Sequence, residues 1–417
     1  MSTGTHSSHA PGDAQIVPLP RVSLQAFCET SDLAQVVQTA AADRRMDKAH
    51  VKIQMGGVAA AAEAYRAAPT PNVILIENTQ TRDELIAGLD RLAEFCDPGT
   101  KVVIIGHIND VLLYRELMRR GISEYIIAPV GPLALVRSLS DLFHTPGSDP
   151  VGRTLAFVGA KGGVGASTVC HNVAWAVAKT VGQDAVIVDM DLPFGTAGLD
   201  FNQDPPQGIA DIVFAPDRVD SGLVDRLLSK CTDHLSLLAA PSTLERPYDV
   251  GEDGFDAVLD ILRASVPSVV LDVPHVWSAW SRRVLASADQ IVIVATPDLA
   301  SLRNAKNLID LMKQMRQHDA PPRLVLNMVG VPKRPEIKAA DFAKNLETDL
   351  IAAIPFEPAL FGTASNNGQM IAEISGGSKP AELFVSIAQH VSGRTEARRA
   401  RRSLLAPIFS KLQRRKA

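Results

Sequence analysis

Lys161, Ser167 and Thr168 stand within one glycine-rich stretch, Gly159-Ala-Lys-Gly-Gly-Val-Gly-Ala-Ser-Thr168. The backbone N–H groups of such a turn, with the N-terminus of a helix opening at its end, make a cradle for phosphate. The phosphate-loop pattern is Gly, four residues, then Gly-Lys-Ser/Thr. Gly165 and Ser167 keep that spacing, but Ala166 stands in the lysine position and Ala160 in that of the first glycine. The lysine the loop retains is Lys161, at its front. Two acidic strand ends follow, Val186-Ile-Val-Asp189-Met-Asp191 and Ser268-Val-Val-Leu-Asp272-Val-Pro274. A short apolar strand ending in Asp, as at Asp272, is the form that helps to hold Mg²⁺ beside a phosphate loop. Each group alone has a plainer reading: Ser167 as a helix cap, the acids as caps of following helices, Lys161 as an exposed turn residue. Loop and acids in this order on one sheet point to a nucleotide site.

The elements that must position these groups are legible from the apolar pattern. Leu155–Val158 reads as a buried strand, and the periodic run from Ser167 through Ala178 as the helix that the loop opens. Further strands are expected at Ala185–Val188, Leu235–Leu238, Ser268–Leu271, Gln290–Val294, Leu324–Asn327 and Leu350–Ile354. Several are near-continuous Val and Ile runs, the mark of a parallel sheet covered on both faces. Ligands of such sheets lie at the carboxyl ends of the strands, where the loop and the acids are.

A separate pattern precedes this one. Strands are expected at Val22–Phe27, Val51–Gln54, Asn72–Ile76, Lys101–Ile105 and Glu124–Ile127. Between and after them lie the amphipathic runs Leu33–Ala42, Ala59–Ala67, Arg82–Phe95, Val111–Arg119 and Leu133–Leu142. Five strands alternating with five helices imply flavodoxin-like wiring. In size and order this part resembles a response-regulator receiver domain. A receiver's acidic pair, phospho-accepting Asp, Ser/Thr and Lys-Pro are replaced by Cys28-Glu29, Glu77, Gly106-His107 and Ala128-Pro129. Glu77 could mimic a fixed charge, but without the lysine nothing clamps a phosphoryl group. A docking or dimerisation module is the better reading.

The fold class expected is therefore α/β, two doubly wound parallel-sheet domains, the first receiver-like. A chain of 417 residues is too long for one core. The boundaries read as a disordered leader over 1–20, the receiver-like domain over 21–144, a linker over 145–152, the second domain over 153–391 and a tail over 392–417. The leader is rich in Ser, Gly, His and Pro and lacks the apolar core of a signal peptide. Cys28, Cys96, Cys170 and Cys231 show no metal-ligand spacing, which favours a reducing cytoplasm. No apolar run approaches the length of a membrane span.

The net charge of −4 conceals an asymmetry, +8 over Val391–Ala417 and −12 over the rest. Leu404, Leu405, Ile408, Phe409 and Leu412 fall on one helical face among those basic residues, although Pro407 interrupts a continuous helix. A membrane-binding piece, a partner-docking peptide and non-specific DNA contact are the readings of such a tail, with a membrane or membrane-bound partner ranked first.

Lys161-Gly-Gly-Val-Gly, Asp189-x-Asp191, Asp272-x-Pro274, Asn327 and Pro355 together resemble the MinD/ParA family of deviant Walker ATPases. Ala166, the receiver-like front and the loop sequence are most similar to its CpaE/TadZ pilus-assembly members. The resemblance spans roughly 21–391. It implies a P-loop NTPase of SIMIBI/MinD type with ATP and Mg²⁺ as cofactors. It assigns nucleotide contact to Gly162, Gly163, Val164, Gly165, Ala166, Ser167 and Thr168. Lys161 would reach across a homodimer to the partner's phosphates in an ATP sandwich, and Asp191 would orient the attacking water. Ser167 and Asp272 would hold Mg²⁺. Asn327 would read adenine, though a strand-end turn residue is an equal alternative, and Pro355 would flank the base, ahead of Ala364-Ser-Asn-Asn-Gly368.

Without a lysine at Ala166, slow hydrolysis or none is implied. The resemblance further implies a cytoplasmic positioning protein for a Tad/Flp-type pilus, peripheral at the inner membrane or cell pole. Its partners would be a pilus secretion ATPase or inner-membrane pilus assembly proteins, and DNA contact is disfavoured. A partitioning or division-site ATPase and a scaffold without turnover stay open. His275 and Val276 depart from the small residues relatives prefer. Trp277, Trp280, Arg282 and Arg283 are expected to serve core packing and surface charge.

Overall fold

Alternating apolar runs and well-capped amphipathic segments set the architecture. The computed structural model describes residues 16–143 and 151–392, apart from positions 242, 245 and 246. The basic tail from position 393 and most of the expected linker lie outside the described residues. The chain divides into two units between Asp149 and Pro150.

The first unit carries β1 (Val22–Cys28), β2 (Ala49–Met55), β3 (Val73–Asn78), β4 (Lys101–Gly106) and β5 (Glu124–Ile127), ordered β2-β1-β3-β4-β5. All four pairings are parallel, the flavodoxin-like wiring expected of the sequence. Side chains alternate between the two sheet faces, so Val73 and Leu75 join one apolar cluster while Ile74 and Ile76 join the other. Helices Ser31–Ala41, Val58–Ala64, Arg82–Ala93, Val111–Arg119 and Pro132–Asp141 cover both faces. Their starts follow capping chemistry: Thr30 accepts from the Leu33 N–H, Asp110 from that of Leu112, and Thr81 with Glu84 forms a capping box.

Two expectations for this unit need correction. The leader does not extend to residue 20: Ile16 and Leu19 are buried in the first apolar cluster, and the Leu19 N–H donates to the Arg45 carbonyl at 2.8 Å. Nor does Glu77 present a charge for others to read. It is 1% exposed and accepts from the Glu29 and Thr30 N–H groups and the Thr30 hydroxyl at 2.7, 2.8 and 2.8 Å. Its carboxylate ties β3 to the start of helix Ser31–Ala41, work internal to the fold.

The second unit holds β6 (Arg153–Gly159), β7 (Ala185–Asp189), β8 (Ser229–Thr232), β9 (Leu235–Leu238), β10 (Ser268–Val273), β11 (Gln290–Ala295), β12 (Arg323–Val329) and β13 (Leu350–Pro355). They form one sheet ordered β13-β12-β11-β6-β10-β7-β9-β8. Seven strands are parallel; β8 pairs with β9 antiparallel at the edge and was not expected. β10 is buried along its whole length, as its Val and Leu content requires between helix layers. Gly152, assigned to the linker, already belongs to this unit: its N–H donates to the Arg263 carbonyl at 2.7 Å. The helix after the loop runs Ala166–Ala176 and continues as a π-helical turn over Val177–Val181, short of the single helix expected. Among the described residues no helix is long and apolar enough to cross a membrane.

Candidate functional site

The strand order reverses beside β6, whose neighbours β10 and β11 follow it much later in the chain, and ligands of doubly wound sheets sit at such a switch point. The glycine loop leaves β6 there. Gly165 caps the following helix with φ of +78°, and Gly163 has φ of +77°. Glycine is the residue that enters this left-handed region without strain. At Gly165 space adds a second requirement, because a Cβ would lie 2.6 Å from Asn327 Nδ2.

Side chains from elsewhere in the unit fix the loop through its carbonyls. Asn327 Nδ2 donates to the Val164 carbonyl at 2.8 Å, Asn304 Nδ2 to that of Ala160 at 3.0 Å, and His275 Nδ1 to that of Gly159 at 2.9 Å. Val164 is buried, Gly162 and Gly163 are exposed, and Ala166, Ser167 and Thr168 are half-buried at the helix start.

Lys161 does not project freely: its Nζ lies 2.8 Å from Asp298 Oδ2 in the same chain. Asp298 also caps helix Leu299–Met315, accepting from the Ser301 N–H, and takes a bond from the Thr296 hydroxyl. Burial alone would raise its pKa, but Lys161, Thr296 and Ser301 outweigh burial and hold the carboxyl at about 2.

The acids lie at the ends of β7 and β10. Asp272 is paired in register with Asp189 on β7 and with Phe157 on β6. Asp189 accepts from the Asp191 and Ala197 N–H groups, each at 3.1 Å, and burial with the nearby Asp272 pushes its pKa up. Asp191 is half-buried and accepts from the Phe194 N–H at 3.2 Å, with burial raising its pKa.

A cavity of about 240 Å³ opens beside the loop. Gly165, Thr168, Asn327 and Pro355 line it, with Phe356 and Phe361 adding aromatic wall. The structure thus gathers the loop end and both residues assigned to base contact around one hollow. Asn327 sits inside β12, 5% exposed, so the strand-end turn reading does not apply to it.

Comparison with known proteins agrees with this geometry. An AAA domain family model matches residues 152–325. The septum site-determining protein MinD of Synechocystis sp. is 26% identical over 250 residues, 58% of this chain and 90% of that protein. A ParA family ATPase from Chlorobium tepidum superposes with a TM-score of 0.52 at 26% identity, over 57% of this chain and 99% of the other. The pilus assembly protein CpaE from Caulobacter crescentus is 44% identical across all of its solved chain and 31% of this one, with a TM-score of 0.31. The chain is a CpaE-type member of the MinD/ParA family.

For a CpaE-type protein the structure adds partners that the sequence did not disclose. His171, fully buried on the loop's helix, sets Nδ1 2.7 Å from Asp200 Oδ2 and Nε2 3.1 Å from Asp272 Oδ2. Burial alone would lower the pKa of the ring; its hydrogen bonds to Asp200 and Asp272 outweigh burial and raise it to about 10. Its sequence signal was a histidine among Val169, Cys170, Val173 and Ala174, an apolar helix in which a polar ring needs a partner. Trp280 packs on Phe255 with ring centroids 4.9 Å apart, and Arg283 pairs with Asp256, as expected. Trp277 is instead 57% exposed, which corrects its assignment to the core.

The donor set around the loop suits Mg²⁺. Among the described residues no group of three or more His, Cys, Asp or Glu side chains is disposed to hold a metal. Ser167 and Asp272 offer hard oxygen donors, the sparse set to which Mg²⁺ is bound when phosphates and water complete its shell.

Proposed function

We propose that this CpaE-type protein binds ATP with Mg²⁺, that two copies enclose the nucleotides, and that the dimer serves assembly of a Tad/Flp-type pilus. The observation that carries the nucleotide reading is the cavity shared by Gly165, Thr168, Asn327 and Pro355, which joins a phosphate loop to a hollow of base size. Ser167 and Asp272 would hold Mg²⁺, which supplies charge neutralisation at the phosphates. Asp191 would orient the attacking water. With Ala166 in place of the loop lysine, the charge opposite the β/γ-phosphates falls to Lys161 of the second copy, and turnover is slow.

The dimer reading is supported by the edge on which the site lies. Phe194, Trp277 and Leu299 are 71%, 57% and 73% exposed on segments following β7, β10 and β11. Large apolar side chains left outside at one edge favour a partner surface. The front unit, lacking a receiver's phosphorylation chemistry, would dock the pilus secretion ATPase or inner-membrane assembly proteins. The basic tail would hold the protein peripherally at the cytoplasmic face of the inner membrane.

Titration with a fluorescent ATP analogue tests the reading. Saturable binding, strengthened by Mg²⁺ and displaced by ATP, is expected, and Pro355→Trp should abolish it by filling the cavity. Absence of saturable binding to the parent protein would overturn the nucleotide reading. A partitioning or division-site role is the second reading, favoured by the MinD relatives; DNA binding by the ATP-loaded protein would support it over the first.

A further inference from the structure

His171 is a buried group to which the chemistry above gives no task. It follows Ser167 by one helical turn, so the two side chains share a face of helix Ala166–Ala176. Its ring is bonded on both sides, to Asp272 at the end of β10 and to Asp200, which lines the cavity. Each ring nitrogen thus serves one carboxylate, Nδ1 that of Asp200 and Nε2 that of Asp272. Asp272 also stands opposite Asp189 in register, and the ring nitrogen is its side-chain partner there. The arrangement links the magnesium acid to the cavity wall through one rigid group.

We propose that His171 is the positioning residue for Asp272: it engages Oδ2 and leaves the other oxygen for Mg²⁺, while Asp200 orients the ring from the cavity side. The proposal rests on the nucleotide and magnesium reading of the site. Partners of this kind, acting through a metal ligand, change metal affinity by about 10–100-fold when removed.

The test compares two amides of similar size in the full-length protein. The Gln amide nitrogen falls near the position of imidazole Nε2, and that of Asn near Nδ1. His171→Gln therefore keeps the donor to Asp272, and His171→Asn keeps only the donor to Asp200. The affinity of a fluorescent ATP analogue is measured with Mg²⁺ and with EDTA, and the ratio of the two is the gain due to the metal. The gain should persist within about threefold in His171→Gln and fall by about tenfold or more in His171→Asn, with binding in EDTA unchanged in both. Equal losses in the two variants, or a gain retained in His171→Asn, would overturn the proposal. Should His171→Asn not fold, His171→Gln decides alone: loss of its gain overturns the role and retention supports it. A parent protein that binds without any metal gain removes the magnesium reading itself, and this role with it; a parent with the gain isolates the question to His171.

Discussion

Lys161 of the phosphate loop is held by Asp298 of its own chain, Nζ to Oδ2 at 2.8 Å. The lysine proposed to serve a second copy is thus stored on an acid that also caps the helix following β11. Moving Lys161 to a partner's phosphates means breaking that pair. A charge-assisted hydrogen bond contributes about 1.5–3 kcal/mol, less where water screens it, as it does for a lysine 38% exposed.

Asp298→Asn should therefore ease the exchange. ATP-dependent dimers should form at a few-fold lower protein concentration than in the parent, as read by analytical ultracentrifugation. Unchanged or weaker dimerisation would mean that the pair is no restraint on Lys161.

The same pair predicts an acid limb in stability. The folded Asp298 carboxyl is held at about 2 against an ordinary 3.8, so its contribution is present above about 3.8 and is lost as pH falls toward 2. Asn at this position does not titrate. The stability difference between the parent and Asp298→Asn, measured by denaturant unfolding, should shrink as pH falls through that window; a constant difference contradicts the assignment.

Gly165 tests the loop geometry. Ala at this position must adopt φ of +78° and places its Cβ 2.6 Å from Asn327 Nδ2. The left-handed backbone costs about 1–2 kcal/mol, and displacing Asn327 unfastens the Val164 carbonyl. Gly165→Ala should lower the melting temperature and weaken nucleotide binding together, by thermal melting and titration. Wild-type affinity in this variant would separate Asn327 from the site.

Much of this could be read from the chain because the signals were local. Apolar runs such as Leu155–Val158 and Ser268–Leu271 fell inside strands, and the loop, Asp191 and Asp272 lie where the strand ends put them. The edge strand Ser229-Lys-Cys-Thr232 has no apolar pattern and forms only because β9 offers an open edge. Ile16 and Leu19 were hidden by a polar, Pro-rich neighbourhood. The partners of the site were least legible: His171 meets Asp272 across 101 residues and Lys161 meets Asp298 across 137, pairings that no local spacing encodes.

Ala166 offers the converse experiment. It opens the helix at a half-buried position where the phosphate-loop pattern has lysine. Ala166→Lys should restore charge at the β/γ-phosphates and raise steady-state ATP turnover above that of the parent. A variant that binds ATP and turns over no faster would show that the missing lysine is not what limits the chemistry.

The most direct test of the central claim is the oligomeric state of the full-length protein with ATP and Mg²⁺, parent against Lys161→Ala, by light scattering coupled to size exclusion. The parent is expected to shift from monomer to dimer on adding ATP, and Lys161→Ala to remain a monomer while still binding nucleotide. A Lys161→Ala protein that dimerises with ATP as the parent does would contradict the claim that each site is completed by the lysine of a second copy.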